Sequence, residues 1–173
     1  TLHLDYNNLS GPIPTEINNM TELEQLTLYQ NQLSGTIPGG LWALHKLKSL
    51  VLGPNPGLSG SLTGAIENLD SIQALIISNC GLTGNLPAEI GNLTKIISIV
   101  ANDNQLSGTL PSSIGNLSLL RTLHLANNQF TGEIPVSMAN LHRLESLDIK
   151  QNKFTELPDL NSVDSLNILY IEQ

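Results

Sequence analysis

The chain has 173 residues, of which 40% are hydrophobic, 13% are charged and 3% are aromatic, with a net charge of −8. Its 33 Leu, 16 Ile and 19 Asn residues argue against a disordered chain, and no apolar run approaches the ~20 residues of a membrane-spanning helix. With 7 basic and 15 acidic residues, it lacks the clustered Lys and Arg that bind phosphates, so nucleic acid is not an expected partner.

The predicted elements repeat along the whole chain. A short element (Leu or Ile, any residue, then Leu, Ile or Ala) starts near residues 2, 26, 50, 75, 99, 123, 147 and 169, which predicts a single array over 1–173. Each element predicts a short strand whose two aliphatic side chains point the same way, because side chains alternate along a strand. Three residues later comes an Asn, or Cys80 in one unit. We expect the Asn to turn inward and bond backbone groups of the neighbouring turn.

The rest of each unit predicts a turn followed by a short helical segment. A Gly permits turn geometry that a side chain would obstruct, and an aliphatic-Pro pair such as Ile37-Pro38 then fixes the direction of the chain. Apolar residues three apart, as in Ile90, Leu93 and Ile96, predict a helical or 3₁₀ segment. Each unit has an apolar side that it cannot bury alone, so the units must stack into a solenoid.

This pattern, L-x-x-L-x-L-x-x-N-x-L-S/T-G-x-I/L-P, resembles the leucine-rich repeat family, specifically the plant-type subclass of receptor-kinase ectodomains and polygalacturonase-inhibiting proteins. The resemblance covers 1–173. It implies an α/β repeat solenoid, a right-handed superhelix with a parallel concave β-sheet and short helical or 3₁₀ convex segments. Members usually have cysteine-paired caps, and this chain has one cysteine and begins and ends inside a predicted strand. We therefore expect an uncapped fragment of a longer chain, with apolar ends open to end-to-end stacking.

Catalytic and metal-binding motifs are missing from the sequence. There is no G-x-S-x-G, G-x-x-x-x-G-K-S/T or G-x-G-x-x-G, and the 4 His residues lack ligand spacing. We predict no enzymatic activity, no cofactor and no metal site. Cys80, which stands in the Asn position, is predicted to be a buried structural thiol.

The outward positions of the predicted strands form the candidate binding surface. Adjacent aliphatics flanked by a tyrosine and by polar groups suit a protein contact, although ordinary β-formers on a solvated strand would give the same pattern. The predicted partner-binding residues are Tyr29, Val51, Ile76, Val100, Asp103, His124 and Asp148.

N-glycosylation sequons occur at Asn8, Asn19, Asn92 and Asn116, about the number that chance gives for this composition. Asn92 and Asn116 fall on the predicted convex side, where a glycan would leave the sheet open.

The sequence therefore favours a non-catalytic extracellular or cell-surface recognition module that binds a protein, peptide or glycan on its concave sheet. The alternative is a structural or assembly segment of a larger cell-surface or filament protein. Ice binding is a remote third hypothesis, from a regular ladder of hydroxyl residues: Ser10, Ser34, Ser59, Thr83, Ser107, Thr131 and Thr155. No direct membrane insertion of this segment is expected.

Overall fold

The computed structural model describes residues 1–171, and these form the stacked units that the repeat predicts. Glu172 and Gln173 lie outside the described residues, and both are at positions predicted to face outward. Within 1–171 the strands are numbered β1–β15 in chain order, and they alternate between a concave sheet and a lateral face.

The odd-numbered strands build one parallel sheet on the concave side, in sequential order and one unit apart in register. At ~4.8 Å per strand, its seven intervals span about 34 Å. This confirms the predicted parallel sheet. Its strands are β1 Leu2–His3, β3 Gln25–Thr27, β5 Ser49–Val51, β7 Ala74–Ile76, β9 Ser98–Val100, β11 Thr122–His124, β13 Ser146–Asp148 and β15 Ile168–Tyr170.

The even-numbered strands form two lateral parallel sheets, β2-β4-β6 and β8-β10-β12-β14. A bridge from Ser61 to Thr83 spans the gap between β6 and β8. These strands are β2 Ser10–Gly11, β4 Gln32–Thr36, β6 Gly57–Ser59, β8 Thr83–Asn85, β10 Gln105–Gly108, β12 Gln129–Glu133 and β14 Lys153–Glu156.

Short 3₁₀ helices form the convex side, as the three-residue apolar spacing predicts. Extended proline precedes each of them except the third, where Thr63 takes that place. Each helix directs a buried aliphatic or methionine side chain inward, and in the fourth helix this residue is Ile90. The helices are η1 Thr15–Asn19, η2 Gly39–Ala43, η3 Gly64–Asn68, η4 Ala88–Asn92, η5 Ser112–Asn116 and η6 Val136–Asn140.

The core runs continuously along the solenoid between the concave sheet and the 3₁₀ helices. The aliphatic pairs of the six interior units are buried, but the expectation that every such pair would be buried fails at the two ends. Leu2 and Leu4 are only partly buried, and Leu169 and Ile171 are 41% and 45% exposed. Within residues 1–171, each of these side chains has a neighbouring unit on one side only.

The predicted asparagine ladder lies inside the turn that follows each concave strand. Its buried members are Asn31, Asn55, Asn104, Asn128 and Asn152. Each donates to backbone carbonyls of its own and the preceding unit, and its side-chain carbonyl accepts a backbone N–H of the preceding unit. The inward asparagines therefore join successive units, as expected.

Asn7 departs from this pattern. Its amide donates to the carbonyls of Leu4 and Asp5, as predicted, but the side chain is exposed. Asn7 belongs to the first described unit, so no earlier turn covers it. The ladder of buried bonds begins at Asn31.

The residue before each ladder position has a left-handed backbone, with φ between 50° and 58°, in six units. Those residues are Tyr6, Gln30, Asn79, Asp103, Asn127 and Gln151. Proline cannot adopt positive φ, and Pro54 occupies this place in the third unit, after a cis peptide bond. This position turns the chain from the concave sheet towards the lateral face.

Candidate functional site

A strip of three aliphatic side chains lies at the centre of the concave sheet. Val51, Ile76 and Val100 end strands β5, β7 and β9 and lie directly opposite one another in register. Each is half-buried, whereas the preceding residue of each strand is fully buried. Alternation along the strand therefore points the three side chains away from the core. They form a continuous apolar surface, called here the aliphatic strip.

A shallow cleft adjoins this strip on the N-terminal side. It is lined by Asp5, Tyr6, Thr27, Tyr29 and Val51, and it is called here the tyrosine cleft. The rings of Tyr6 and Tyr29 lie 5.2 Å apart between centroids, tilted by 60°. Tyr6 is 72% exposed, whereas Tyr29 is half-buried. The cleft thus offers aromatic surface beside a carboxylate.

Asp5 is held in place by two hydrogen bonds from the next unit. Its carboxylate accepts the Thr27 hydroxyl at 2.6 Å and the Tyr29 backbone N–H at 2.9 Å. Asn102 takes the equivalent place in the fifth unit, where its side-chain carbonyl accepts the backbone N–H of Ala126 at 2.8 Å. A neutral amide therefore makes the same inter-unit bond.

The other side of the strip is polar. His124 ends β11, is half-buried, and lies 2.7 Å from the Ser146 hydroxyl through its Nε2. Burial lowers the pKa of His124, and the nearby Lys150 lowers it further, while the carboxylate of Asp148 opposes both effects. Lys150 lies 3.6 Å from Asp148 and 5.1 Å from the centre of the Tyr170 ring.

Five of the seven predicted partner-binding residues end concave strands, Tyr29 lies two residues beyond β3, and Asp103 lies in the turn after β9. Their exposure differs. Tyr29, the aliphatic strip and His124 are half-buried, and Asp103 is exposed and accepts a hydrogen bond from Asn127 at 2.7 Å. Asp148 differs from the expected solvated position, because only 7% of it is exposed. It is covered by its neighbours on β11 and β15 and by Lys150, and it contributes little surface.

Sequence reasoning missed Asp5 and Tyr6 as members of the site. Both stand at outward positions, but Tyr6 contacts Tyr29 from a left-handed turn, and Asp5 contacts Tyr29 by accepting its backbone N–H. The sequence does contain a signal, which is a second tyrosine in the preceding unit. This residue, Tyr6, stands at the repeat position that follows the one occupied by Tyr29.

The four sequon asparagines lie outside the concave sheet, and all are exposed. Asn19, Asn92 and Asn116 each end a 3₁₀ helix on the convex side, and Asn8 lies in the turn after β1. Asn92 donates a hydrogen bond to Glu67 at 2.7 Å. Their glycosylation remains a prediction.

The buried Cys80 has the structural position that the sequence predicts. Its backbone N–H donates to Asn104, and its thiol donates to the Ser78 carbonyl at 3.4 Å. Burial raises the pKa of the thiol to about 12, against an opposing hydrogen bond from the backbone of Asn55. A thiol of this kind is a poor nucleophile and a poor metal ligand at neutral pH.

The described residues also lack two features of other functional classes. Over 1–171, no group of three or more His, Cys, Asp or Glu side chains is arranged to hold a metal ion. The helices in the same range are too short to cross a membrane.

Comparison with known families matches most of the units. A model described as Leucine Rich Repeat matches residues 1–20, 22–44, 71–93 and 95–117, and one described as Leucine Rich repeats (2 copies) matches 118–162. The chain belongs to the leucine-rich-repeat family. A search of curated proteins found no match.

Solved structures similar to this leucine-rich-repeat chain include ectodomains of plant receptor kinases. The ectodomain of GASSHO1/SCHENGEN3 from Arabidopsis thaliana, solved with CASPARIAN STRIP INTEGRITY FACTOR 2, has a TM-score of 0.96 and 38% identity over 98% of this chain. The Arabidopsis receptor kinase HAESA, solved with the peptide hormone IDA and the co-receptor SERK1, has a TM-score of 0.91 and 37% identity over 98%. These matches confirm the resemblance to the plant-type subclass.

A plant ice-binding protein is also similar, with a TM-score of 0.82 and 26% identity over 99% of this leucine-rich-repeat chain. The chain spans 20% of the GASSHO1/SCHENGEN3 ectodomain, 29% of HAESA and 64% of the ice-binding protein.

Proposed function

We propose that this leucine-rich-repeat array is a non-catalytic, extracellular recognition module that binds an extended peptide or protein segment on its concave sheet. The observation that carries the proposal is the aliphatic strip, in which Val51, Ile76 and Val100 are aligned on adjacent strands with their side chains facing outward. Apolar side chains that meet in this way and are bordered by polar groups are typical of a binding surface.

Two further facts support the proposal. The similar ectodomain structures of GASSHO1/SCHENGEN3 and HAESA were solved with a peptide or protein ligand, and both belong to plant receptor kinases. Three of the sequon asparagines, Asn19, Asn92 and Asn116, end convex 3₁₀ helices, so glycans there would leave the concave sheet open.

The test is peptide selection followed by mapping. Peptides are selected from a random 12-residue display library on the immobilised chain, then synthesised with a photoreactive benzophenone group and cross-linked. We expect cross-links to fall on concave residues near Ile76. Cross-links confined to the convex helices would contradict the proposal.

The assembly hypothesis makes a different prediction for the same protein. An assembly segment would associate with copies of itself through the apolar ends or the lateral sheets, and no concave residue would affect the association. Sedimentation of the wild-type chain and of an Ile76→Glu variant distinguishes the two functions. The assembly function would be favoured if the wild-type chain and the variant associate equally and if no peptide can be selected on the chain.

Ice binding is a second candidate, favoured by the hydroxyl ladder on the lateral sheets and by the similar plant ice-binding protein. It ranks below peptide recognition because hydroxyls of Thr83, Ser107 and Thr131 point to glycine carbonyls of the preceding unit. The ladder is also interrupted between β6 and β8. Ice-recrystallisation assays on the wild-type chain and on a Thr131→Lys variant test this hypothesis. Inhibition of recrystallisation by the wild-type chain that the variant loses would support ice binding.

A further inference from the structure

The aliphatic strip ends against a cleft with its own chemistry. Asp5, Tyr6 and Tyr29 bring a carboxylate and two aromatic rings together next to Val51. We propose that the tyrosine cleft binds the cationic side chain of an Arg or Lys residue in the peptide whose aliphatic residues cover the strip. This inference rests on the proposed peptide-binding function and names the class of its ligand.

The charge of Asp5 exceeds what the fold requires at that position. In the fifth unit the neutral Asn102 accepts the next unit's N–H at 2.8 Å, as Asp5 does with Tyr29 at 2.9 Å. An amide therefore suffices for the bond to the N–H of the next unit, and the second oxygen of Asp5 accepts a neutral donor, the Thr27 hydroxyl. Among residues 1–171, no Lys, Arg or His side chain forms an ion pair with Asp5.

The aromatic rings suit the same ligand. Tyrosine rings attract cations that lie over their faces, and a guanidinium group stacks on them especially well. Tyr6 is 72% exposed and stands at a left-handed position where other units have Asn, Asp or Gln. Its ring lies against Tyr29, and both residues line the same cleft as Asp5, so a cation bound in the cleft meets aromatic surface and a carboxylate.

At the opposite end of the concave sheet, the described residues pair their charges with one another. Asp148 is buried and paired with Lys150, which also lies over the Tyr170 ring. The charges of Asp148 and Lys150 therefore already have partners within the chain. A cationic ligand residue is therefore best placed at the N-terminal end of the strip.

The geometry also sets the spacing in the peptide. Tyr29 follows β3, and Ile76 lies two strands further along, at about 10 Å for a strand spacing of ~4.8 Å. An extended peptide advances ~3.3 Å per residue, so about three residues separate the cation from the aliphatic side chain over Ile76.

The experiment uses peptides selected on the full chain and their variants in which citrulline, a neutral isostere, replaces Arg. We expect the Arg-to-citrulline change to lower affinity at least 5-fold on the wild-type chain and less than 2-fold on Asp5→Asn. Asn102 indicates that Asp5→Asn preserves the fold. Asp164→Asn is the matched control, because it removes an exposed carboxylate that lies outside the concave strands and outside the cleft, and it should retain the 5-fold effect.

Tyr6→Asn gives a second, independent variant, since Asn79 and Asn127 already occupy the equivalent left-handed position. It should weaken binding of the Arg peptide at least 3-fold and leave the citrulline peptide unaffected. Peptides that need Ile76 and Val100 for binding but keep their affinity when citrulline replaces Arg would overturn the cation site. The proposed peptide-binding function would still hold in that case. Peptides that bind independently of Ile76 and Val100, or a second copy of the chain bound there, would overturn both.

Discussion

The side-chain carbonyl of Asn104 accepts the backbone N–H of Leu82 at 3.0 Å, across the boundary between two units. The same oxygen accepts the N–H of Cys80 at 3.1 Å, and the amide donates to Ile77 at 2.9 Å. One buried side chain thus satisfies backbone groups in two turns, which couples the stability of one unit to the next.

Replacing Asn104 with Ala should destabilise the chain strongly. The change leaves several buried backbone groups without partners, each at a cost of roughly 1–3 kcal/mol, so we expect a loss of about 3 kcal/mol or more in the free energy of unfolding. Urea denaturation measures it. The control is Asn140→Ala, an exposed convex asparagine expected to change stability by less than about 0.5 kcal/mol. Equal losses in the two variants would contradict the role of the ladder.

Gly53→Ala should also destabilise the fold, for a steric reason. A Cβ at Gly53 would lie 1.6 Å from the carbonyl oxygen of Ser78, which is backbone and cannot move aside freely. Overpacking of this kind costs about 1–3 kcal/mol or more. Gly39→Ala is the control, because a Cβ there meets no atom within 4 Å. A thermal midpoint for Gly53→Ala equal to that of Gly39→Ala would show that the units pack less closely than described.

The repeat explains how much of this architecture could be predicted. Aliphatic pairs such as Leu75 and Ile77 recur with the strand period, which was enough to predict the parallel sheet and its buried side. The 3₁₀ helices followed from three-residue spacing, as in Ile90 and Leu93. Both features depend on local periodicity, which a single sequence displays directly.

The details of the site depend on contacts that periodicity does not encode. The burial of Asp148 arises from neighbouring units and from the ion pair with Lys150, whereas its strand position alone predicts exposure. The contact between Tyr6 and Tyr29 requires a left-handed backbone at Tyr6, and tyrosine gives no signal of that conformation. The sequence therefore predicts which strand positions face outward on the concave surface, but it does not predict the tyrosine cleft.

The Cys80 thiol should make stability fall at alkaline pH. Its folded-state pKa of about 12 lies above the ordinary value of 9.0, so the folded chain keeps its proton where the unfolded chain loses it. This contribution is fully present below pH 9 and is lost as the pH rises towards 12. Between pH 8 and pH 10.5, the free energy of unfolding should fall by roughly 1–2 kcal/mol more for the wild-type chain than for Cys80→Ala. Identical pH profiles for the two proteins would contradict the burial of the thiol.

His124 should titrate below the ordinary value of 6.5, because burial disfavours its charged form. Its depressed pKa means that the stability it contributes is present above the unfolded-state pKa and is lost as the pH falls through the folded-state pKa. Asp148 partly opposes the shift, so Asp148→Asn should lower the pKa of His124 further, and Lys150→Met should raise it. NMR titration of the His124 ring gives its pKa in the wild-type chain and in the two variants. A pKa that changes in neither variant would contradict the described contacts.

The most direct test of the recognition function is the affinity of one selected peptide for an Ile76→Glu, Val100→Glu double variant. Both side chains point away from the core, so the fold should survive, and the charges should weaken binding by about 2 kcal/mol or more, or roughly 30-fold. Ile97→Glu is the matched control, an exposed isoleucine outside the concave strip, and it should bind the peptide as the wild-type chain does. Unchanged affinity in the folded double variant would contradict concave-face recognition.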